Sequence, residues 1–340
     1  MIIYFPRSFG STYNMIHVVK KYFKQKNIET TIIVSHPDTN SLTLHAADIK
    51  LIEPTYNAEE NASFYETVVL DFKVNLIIPG ESSLVFFKEN EDKFVSLGAK
   101  LMISGAADLL NILRSKTLTY QYFTENKIDI AIPLYRNVNT LDAFITICQE
   151  IESIGSIPCF KPDVSQGASG FRIVDNTVNT GNLLYGFPSH RASLDYYISL
   201  FKECAHFPNL IVTEYLSGEE VTLDTLSYNN ECVCYFPRVK DLNNRYVIDR
   251  PYFRPLIADF ISKSGINYLW NIQLRYHNNK PYLLEVNPRY SGGSYLAEEN
   301  GYAMLCGAIE LIMFNNMPSF PPLKPINFKI VESYIQFKID

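Results

Sequence analysis

Through its first 115 residues the chain alternates short β-branched runs with amphipathic stretches, and that alternation restricts the fold more than any other feature. "MIIYF" (1–5), "TTIIV" (30–34), "VNLIIPG" (74–80) and "KLMIS" (100–104) have the composition of buried strands. Between them, "STYNMIHVVKKYFKQKN" (11–27), "AEENASFYETVVLDF" (58–72) and "SSLVFFKENEDKFVSLG" (82–98) carry apolar residues at helical spacing. Strands alternating with helices predict a parallel sheet covered on both faces, with ligands at the carboxyl ends of the strands. Here those ends hold "PRSFGS", "SHPD" and "PGESS". No GxGxxG follows the first strand and no GxxxxGK[ST] occurs anywhere, so the dinucleotide and P-loop readings lose their main support.

A chain of 340 residues can bury two or three cores, and 47% hydrophobic with 19% charged residues is ordinary for a globular protein. The net charge of -6 argues against a general nucleic-acid surface. No apolar run approaches the roughly 20 residues that cross a bilayer, and the start lacks the charged region of a secretory signal. Six cysteines without CxxC spacing suggest free thiols in a reducing compartment, so a cytoplasmic location is expected. Cys232 and Cys234, on one face of a strand, read as small core residues.

Beyond residue 115 the pattern becomes mixed. "SKTLTYQYFTENK" and "TLDAFITICQEIESIG" read as helices, "IPCFKPDVSQGASGFRIV" as strand–loop–strand, and a further helix lies near 192–204. "YLWNIQLRYHNNKPYLLEVNPRYSGG" reads as a strand pair turning on Asn278-Asn279, and "AMLCGAIELIMF" as a largely buried helix. The proline-rich "MPSFPPLKPINF" reads as an irregular connection to a last strand, "IVESYIQFKI".

Four separated pieces carry chemistry. In "CFKPDVSQGASGFRIV", Lys161 ends a strand and precedes a loop of small residues whose backbone N–H groups can fold over phosphates; a hairpin with an incidental lysine gives the same string. "LIVTEYLSGEEVTLDTL" enters a turn at Ser217-Gly218 and leaves as an acidic strand, either a nucleotide hinge or a solvated hairpin. In the third piece Gln273 alternates with Asn271 and Arg275 on one strand face, and Glu285 with Asn287 on the next. Gln273, Glu285 and Asn287 all offer hard oxygen donors of the kind magnesium takes. A salt bridge from Glu285 to Arg289 or Arg275 is the equal alternative, because an unpaired buried carboxylate is costly. The fourth piece is the basic run Arg238, Lys240, Arg245, Arg250 and Arg254, which suits phosphates or a carboxylate substrate, or a solvated loop.

In order and spacing, "FKPDVSQGASG", "EYLSGEEVTLD" and "LLEVNPRYSGGS" resemble the ATP-grasp superfamily, in particular the ATP-binding units of the carbamoyl phosphate synthetase large subunit and their stand-alone relatives. The resemblance implies an α/β protein with α+β lobes, the ATP-grasp fold preceded by a Rossmann-like pre-ATP-grasp domain. It places that first domain at 1–112, a central lobe with the phosphate loop at 113–185 and a C-terminal lobe with the metal site at 186–340. Lys116 and Lys161 would hold the ATP phosphates, with the loop of Ser165, Gly167, Ala168 and Ser169 folded over them. Glu214, Tyr215 and Leu216 would form the adenine hinge and Glu220 the ribose contact. Gln273, Glu285 and Asn287 would hold Mg²⁺ or Mn²⁺, and Arg289 would reach the transferred phosphate. Arg238 and Arg254 are the candidates for the substrate carboxylate or an oxyanion.

The implied activity is a carboxylate–amine ligase that forms an acylphosphate from ATP and a small acid, then an amide with an amine or ammonia. A single ATP-grasp unit without the synthetase's second unit or regulatory region argues against carbamoyl phosphate synthesis itself. Expected partners are small-molecule acids and amines, not nucleic acid or membrane, with a homodimer as the default assembly. A nucleotide-binding sensor without turnover, and a kinase that stops at phosphoryl transfer, share the same motifs and stay open at this point.

Overall fold

The structure is a computed structural model that describes residues 1–165, 167–178, 190–241 and 244–329. The expected last strand "IVESYIQFKI" and Gln166 of the small-residue loop lie outside the described residues. The chain forms two compact units. One comprises Met1–Asn111, Glu220–Ile272 and Val286–Asp340, and the other Ile112–Glu219 and Gln273–Glu285. This division follows compactness alone, and the three lobes implied by the resemblance remain a proposal.

The first unit opens with β1 (Ile2–Pro6), α1 (Thr12–Gln25), β2 (Thr31–His36), β3 (Ile49–Ile52), α2 (Ala62–Phe72) and β4 (Leu76–Ile77). It continues through α3 (Leu84–Glu89), α4 (Glu91–Ser96) and β5 (Lys100–Leu101), with α5 (Ala107–Arg114) leading out. The five strands form a parallel sheet in the order β3-β2-β1-β4-β5. Alternation within each strand feeds two cores. Ile3, Phe5, Ile32 and Val34 pack with Met15, Val19 and Phe23 of α1, while Tyr4, Ile33 and Ile77 pack with Tyr65, Val69 and Phe87. Burial on both faces is why these strands read as unbroken apolar runs. Two details differ from expectation: β3 is present although Lys50 interrupts its apolar run, and Asn90 divides the helix expected over 82–98 into α3 and α4.

The second unit holds α6 (Lys116–Glu125), β6 (Tyr135–Val138), α7 (Leu141–Ser153), β7 (Pro158–Pro162), β8 (Arg172–Val174), β9 (Arg191–Ala192), α8 (Leu194–Lys202) and β10 (Leu210–Glu214). Its sheet runs β6-β10-β7-β8-β9 and is closed by α7 and α8 through Phe144, Ile147, Ile151, Phe160 and Tyr197.

Then follow β11 (Glu220–Tyr228), β12 (Glu231–Asp241), β13 (Asn244–Val247), α9 (Arg254–Ser264), β14 (Tyr268–His277), β15 (Lys280–Asn287), α10 (Tyr295–Glu299), α11 (Met304–Phe314) and β16 (Ile326–Lys329). Their sheet has the order β15-β14-β11-β12-β13-β16. The boundary between the units cuts β14 after Ile272 and β15 after Glu285. Two asparagine pairs in the left-handed region make its hairpin turns, Asn229-Asn230 between β11 and β12 and Asn278-Asn279 between β14 and β15. Asparagine tolerates that conformation better than other side-chain-bearing residues. α11 is buried along most of its length, as its apolar composition predicts. β13, α9, α10 and β16 were not expected; β16 takes its residues from the proline-rich connection. All six cysteines are free; Cys232 is exposed and not the core residue expected, whereas Cys234 is half-buried and packs against the first core. Among the described residues no helix is long and apolar enough to cross a membrane.

Candidate functional site

In the second unit, the first turn of α6 is stitched to the residues just after Lys161. The Ser115 hydroxyl accepts the Leu118 N–H at 3.1 Å, which caps the helix, and donates to Asp163 Oδ2 at 2.5 Å. Asp163 Oδ1 accepts the N–H and the hydroxyl of Thr117 at 2.9 and 2.6 Å. The Lys116 N–H reaches the Asp163 carbonyl at 3.3 Å, and Ser115 forms a β-bridge with Val164. A buried carboxylate at a helix N-terminus also meets the positive end of the helix dipole.

Both lysines then reach the small-residue loop. Lys116 Nζ donates to the Ser165 carbonyl at 3.3 Å, and Lys161 Nζ donates to the Gly167 carbonyl. The loop holds its shape through Ser165 Oγ on the Pro162 carbonyl and glycines in the left-handed region at 167 and 170. A Cβ at Gly170 would lie 2.6 Å from Pro162 Cδ, so no larger residue fits there. Gly167, Ala168 and Ser169 are exposed. Two ammonium groups beside a run of small residues are a combination of the kind that binds anions.

The expected hinge is anchored from both sides. The Glu214 carboxylate accepts the Leu134 N–H at 3.0 Å and the Ser156 hydroxyl at 3.4 Å, so its side chain fixes the segment instead of facing a base. The Tyr215 N–H donates to the Ile157 carbonyl, and the Tyr215 ring stacks under the Arg191 guanidinium at 5.1 Å. Leu216 is buried. Gly218 closes the turn on β14: its N–H donates to the Tyr276 carbonyl at 2.8 Å, and a Cβ there would sit 2.4 Å from that oxygen.

Glu285 and Gln273 belong to this unit. Lys116 Nζ lies 3.2 Å from Glu285 Oε2, and the two side chains are only 11% and 14% exposed. Lys116, expected at the phosphates, is thus one cation beside Glu285, while Arg289 is committed to Glu81. The Tyr120 hydroxyl donates to the Leu284 carbonyl at 3.1 Å and the Leu283 N–H to the Ala131 carbonyl, so α6 and the chain after it fix this part of β15.

The remaining candidates lie in the first unit. Asn287 donates its Nδ2 to Asn271 Oδ1 at 3.1 Å, and Asn271 donates to the Arg289 carbonyl. Arg289 places Nε and Nη2 on Glu81 Oε2 at 2.8 and 2.5 Å and stacks over Phe9 at 4.7 Å. Arg238 grips Asp224 Oδ2 through Nε at 2.5 Å and Oδ1 through Nη2 at 3.2 Å, and Nη2 also reaches Ser291 Oγ. Gly293 lies beside it, and a Cβ there would sit 2.3 Å from Arg238 Nη1, so the guanidinium would have to move. Register puts Glu220 opposite Lys240 and Lys240 opposite Arg245, on the sheet face that carries Arg238. Burial lowers the pKa of Arg245, and repulsion from Arg238 adds to that against the pull of Glu220. Arg254 is not brought to this group. It stacks on Tyr235, three residues from Arg238 and hence on the opposite face of β12, and its side chain is 62% exposed.

No role was expected for Asp163 or Glu81, and Asp224 was expected only as one of the acids on the strand after the hinge, although each orients a candidate residue. Only Asp163, next to "FKP", gave a local signal. Among the described residues no three His, Cys, Asp or Glu side chains are grouped to hold a metal. The candidate set of one carboxylate and two amides is of another kind. Its donors suit a hard cation that brings phosphate oxygens with it, and the Glu285 carboxylate already attracts a positive charge.

A family model described as "ATP-grasp in the biosynthetic pathway with Ter operon" matches residues 206–331. No curated protein matches the chain. Among solved structures it is similar to N5-carboxyaminoimidazole synthetase from Staphylococcus aureus complexed with ADP, with 15% identity, a TM-score of 0.67 and coverage of 96% of this chain and 81% of that one. The L-amino acid ligase from Bacillus licheniformis gives 10% identity, a TM-score of 0.62 and coverage of 92% and 74%. The biotin carboxylase domain of Hydrogenobacter thermophilus 2-oxoglutarate carboxylase, in complex with MgADP and bicarbonate, gives 13% identity, a TM-score of 0.62 and coverage of 94% and 70%. At these identities the likeness is one of fold, and it extends over nearly the whole chain. That likeness gives the chain the ATP-grasp fold, and over residues 206–331 it also matches a model of an ATP-grasp family.

Proposed function

We propose that the protein is an ATP-dependent carboxylate–amine ligase that joins a small acid to an amine or ammonia through an acylphosphate, releasing ADP and phosphate. The observation that carries this reading is the convergence of Lys116 and Lys161 on the carbonyls of one small-residue loop, with Glu285 beside Lys116. On this reading the two lysines bind the triphosphate and the 165–170 loop covers it. Backbone groups of Glu214, Tyr215 and Leu216 meet the adenine, and Glu220 the ribose. Gln273, Glu285 and Asn287 would hold Mg²⁺ or Mn²⁺, which would supply charge neutralisation at the outer phosphates. A carboxylate oxygen of the acid, oriented by Arg238, attacks the γ-phosphorus as ADP leaves, and Arg289 stabilises the transferring group. The amine nitrogen then attacks the acyl carbon, phosphate departs and the excess protons pass to solvent. The covering loop keeps water from the acylphosphate. Arg254 is outside this reading because it lies on the other face of β12. A homodimer working in the cytoplasm, among small-molecule substrates only, completes it.

The test is ADP release by purified protein over a matrix of amino acids and small carboxylic acids, with hydroxylamine present to trap acylphosphate as hydroxamate. A ligase releases ADP only with its acid and yields hydroxamate, and Glu285→Gln abolishes both while nucleotide still binds. ADP release with a stable phosphorylated product, unchanged when amine is omitted, indicates a kinase. Nucleotide binding without turnover under any mixture indicates a sensor and sinks the ligase reading.

A further inference from the structure

We infer that Lys116 makes this site select a metal–nucleotide complex over the bare divalent cation. The inference rests on the nucleotide-site reading above. Lys116 Nζ stands 3.2 Å from Glu285 Oε2 and 3.3 Å from the Ser165 carbonyl, between the carboxylate proposed for the metal and the loop proposed for the phosphates. Glu285 is the one carboxylate among Gln273, Glu285 and Asn287, so the ammonium cancels the main electrostatic attraction that the set offers to a cation. A divalent ion arriving alone meets a positive charge about one ion-pair distance away, in a setting where side chains are mostly withdrawn from water and repulsion is weakly screened. An ion that arrives on a di- or triphosphate brings Lys116 a second anionic partner. The ammonium can then leave Glu285 without being stranded, and the metal takes its place.

The residue type suits this exchange. Lysine presents a compact point charge on a flexible stem, whereas an arginine fork would be tied to one bidentate geometry. The stem swings from a fixed base, because Asp163 holds Ser115 and Thr117 on either side of it. Linkage then requires metal and nucleotide to raise each other's affinity by the same factor.

The probes are Mn²⁺, followed by the paramagnetic resonance of the free ion, and ADP, followed by calorimetry, both with the full chain. Wild type should bind Mn²⁺ at least about tenfold more tightly with ADP present than without it, as expected when like charges are juxtaposed in one of the two cases. Lys116→Met should bind Mn²⁺ without ADP about tenfold more tightly than wild type, and Lys116→Arg, which keeps the cation, should not. Lys116→Gln serves as a second neutral variant, and thermal melting identifies any variant that is unfolded. Folded neutral variants that bind Mn²⁺ no better than wild type overturn the inference, as does a gain in Lys116→Arg equal to that in Lys116→Met. Should wild type bind no ADP with or without Mn²⁺, the nucleotide-site reading itself fails and takes this inference with it.

Discussion

Two groups of cations, one in each unit, are held differently. In the first, three arginines are each gripped by a carboxylate: Arg7 by Glu53, Arg238 by Asp224 and Arg289 by Glu81, with the carboxylate side chains 0%, 4% and 17% exposed. In the second, the cations at the candidate site are lysines resting on backbone carbonyls of a surface loop, with Glu285 as the carboxylate beside Lys116. A guanidinium fork on a buried carboxylate fixes orientation, and removing one member strands the other. A lysine on a carbonyl can change partners with little loss. On the proposed function, the gripped arginines present oriented groups while Lys116 and Lys161 hand charge over to an incoming anion.

The largest effect should come from breaking a grip of the first kind. Glu53 is 2% exposed and accepts Arg7 Nε at 2.5 Å, the Ser35 hydroxyl at 2.7 Å and the Tyr65 hydroxyl at 3.0 Å. Glu53→Ala should lower the free energy of unfolding by about 3–5 kcal/mol, the usual result of stranding a buried ion. Urea denaturation measures it, and Arg7→Ala combined with Glu53→Ala should lose clearly less than the two single changes added together. A loss below about 1 kcal/mol, the range of a surface pair, would erase the distinction between the units.

Glu298 sharpens the comparison from within the first unit, because it is a buried carboxylate bonded to helix N–H groups instead of an arginine. Its Oε1 accepts the Leu305 N–H at the start of α11, and burial pushes its pKa up to about 7 although the N–H groups of Leu305, Cys306 and Met304 pull the other way. The folded state thus holds this proton more firmly than the unfolded chain. Its contribution is fully present below the ordinary carboxylate value and is lost as pH rises through about 7. At 1.36 kcal/mol per pH unit the difference amounts to about 3 kcal/mol at most. Glu298→Gln should flatten the fall in stability between roughly pH 4.5 and pH 7, read from urea midpoints across that range. An unchanged slope would show that its N–H donors hold the ionised form as well as an arginine does.

Much of this architecture was legible because it is written in short-range pattern. β1, β2 and β4 are apolar on both faces, α6 announces itself by Ser115, and Asn278-Asn279 fixes the β14–β15 turn. β3 was obscured by the solvent-facing Lys50, and α9 by the two prolines and the arginines that precede it in "DRPYFRP". Of the candidate site, Glu285, the cations and the loops were legible, but not what grips the arginines. Their carboxylate partners lie far away in sequence, Glu53 46 residues from Arg7 and Glu81 208 residues from Arg289, and no periodicity connects such pairs. Yet Glu53 carries the mark that singled out Glu285, a carboxylate in or at the end of an apolar strand: "IKLIE" against "YLLEV". Applied evenly, that cue would have found it.

The smallest structural effect and the most specific functional one should coincide at Lys161. It is half-buried on β7, and the Gly167 carbonyl that it holds lies on an exposed loop able to bond water in its absence. Lys161→Met should therefore change the free energy of unfolding by less than about 1 kcal/mol. If the ammonium binds phosphate, the same change removes a charge-assisted hydrogen bond worth about 1.5–3 kcal/mol, so ADP affinity by calorimetry should fall about tenfold or more. Lys161→Arg should keep stability and recover only part of the affinity, because a planar fork does not reproduce a point charge. A destabilisation like that of Glu53→Ala would place Lys161 with the gripped arginines of the first unit. Unchanged ADP affinity in a stable Lys161→Met would leave the loop without its phosphate, and the exchangeable lysine without its purpose.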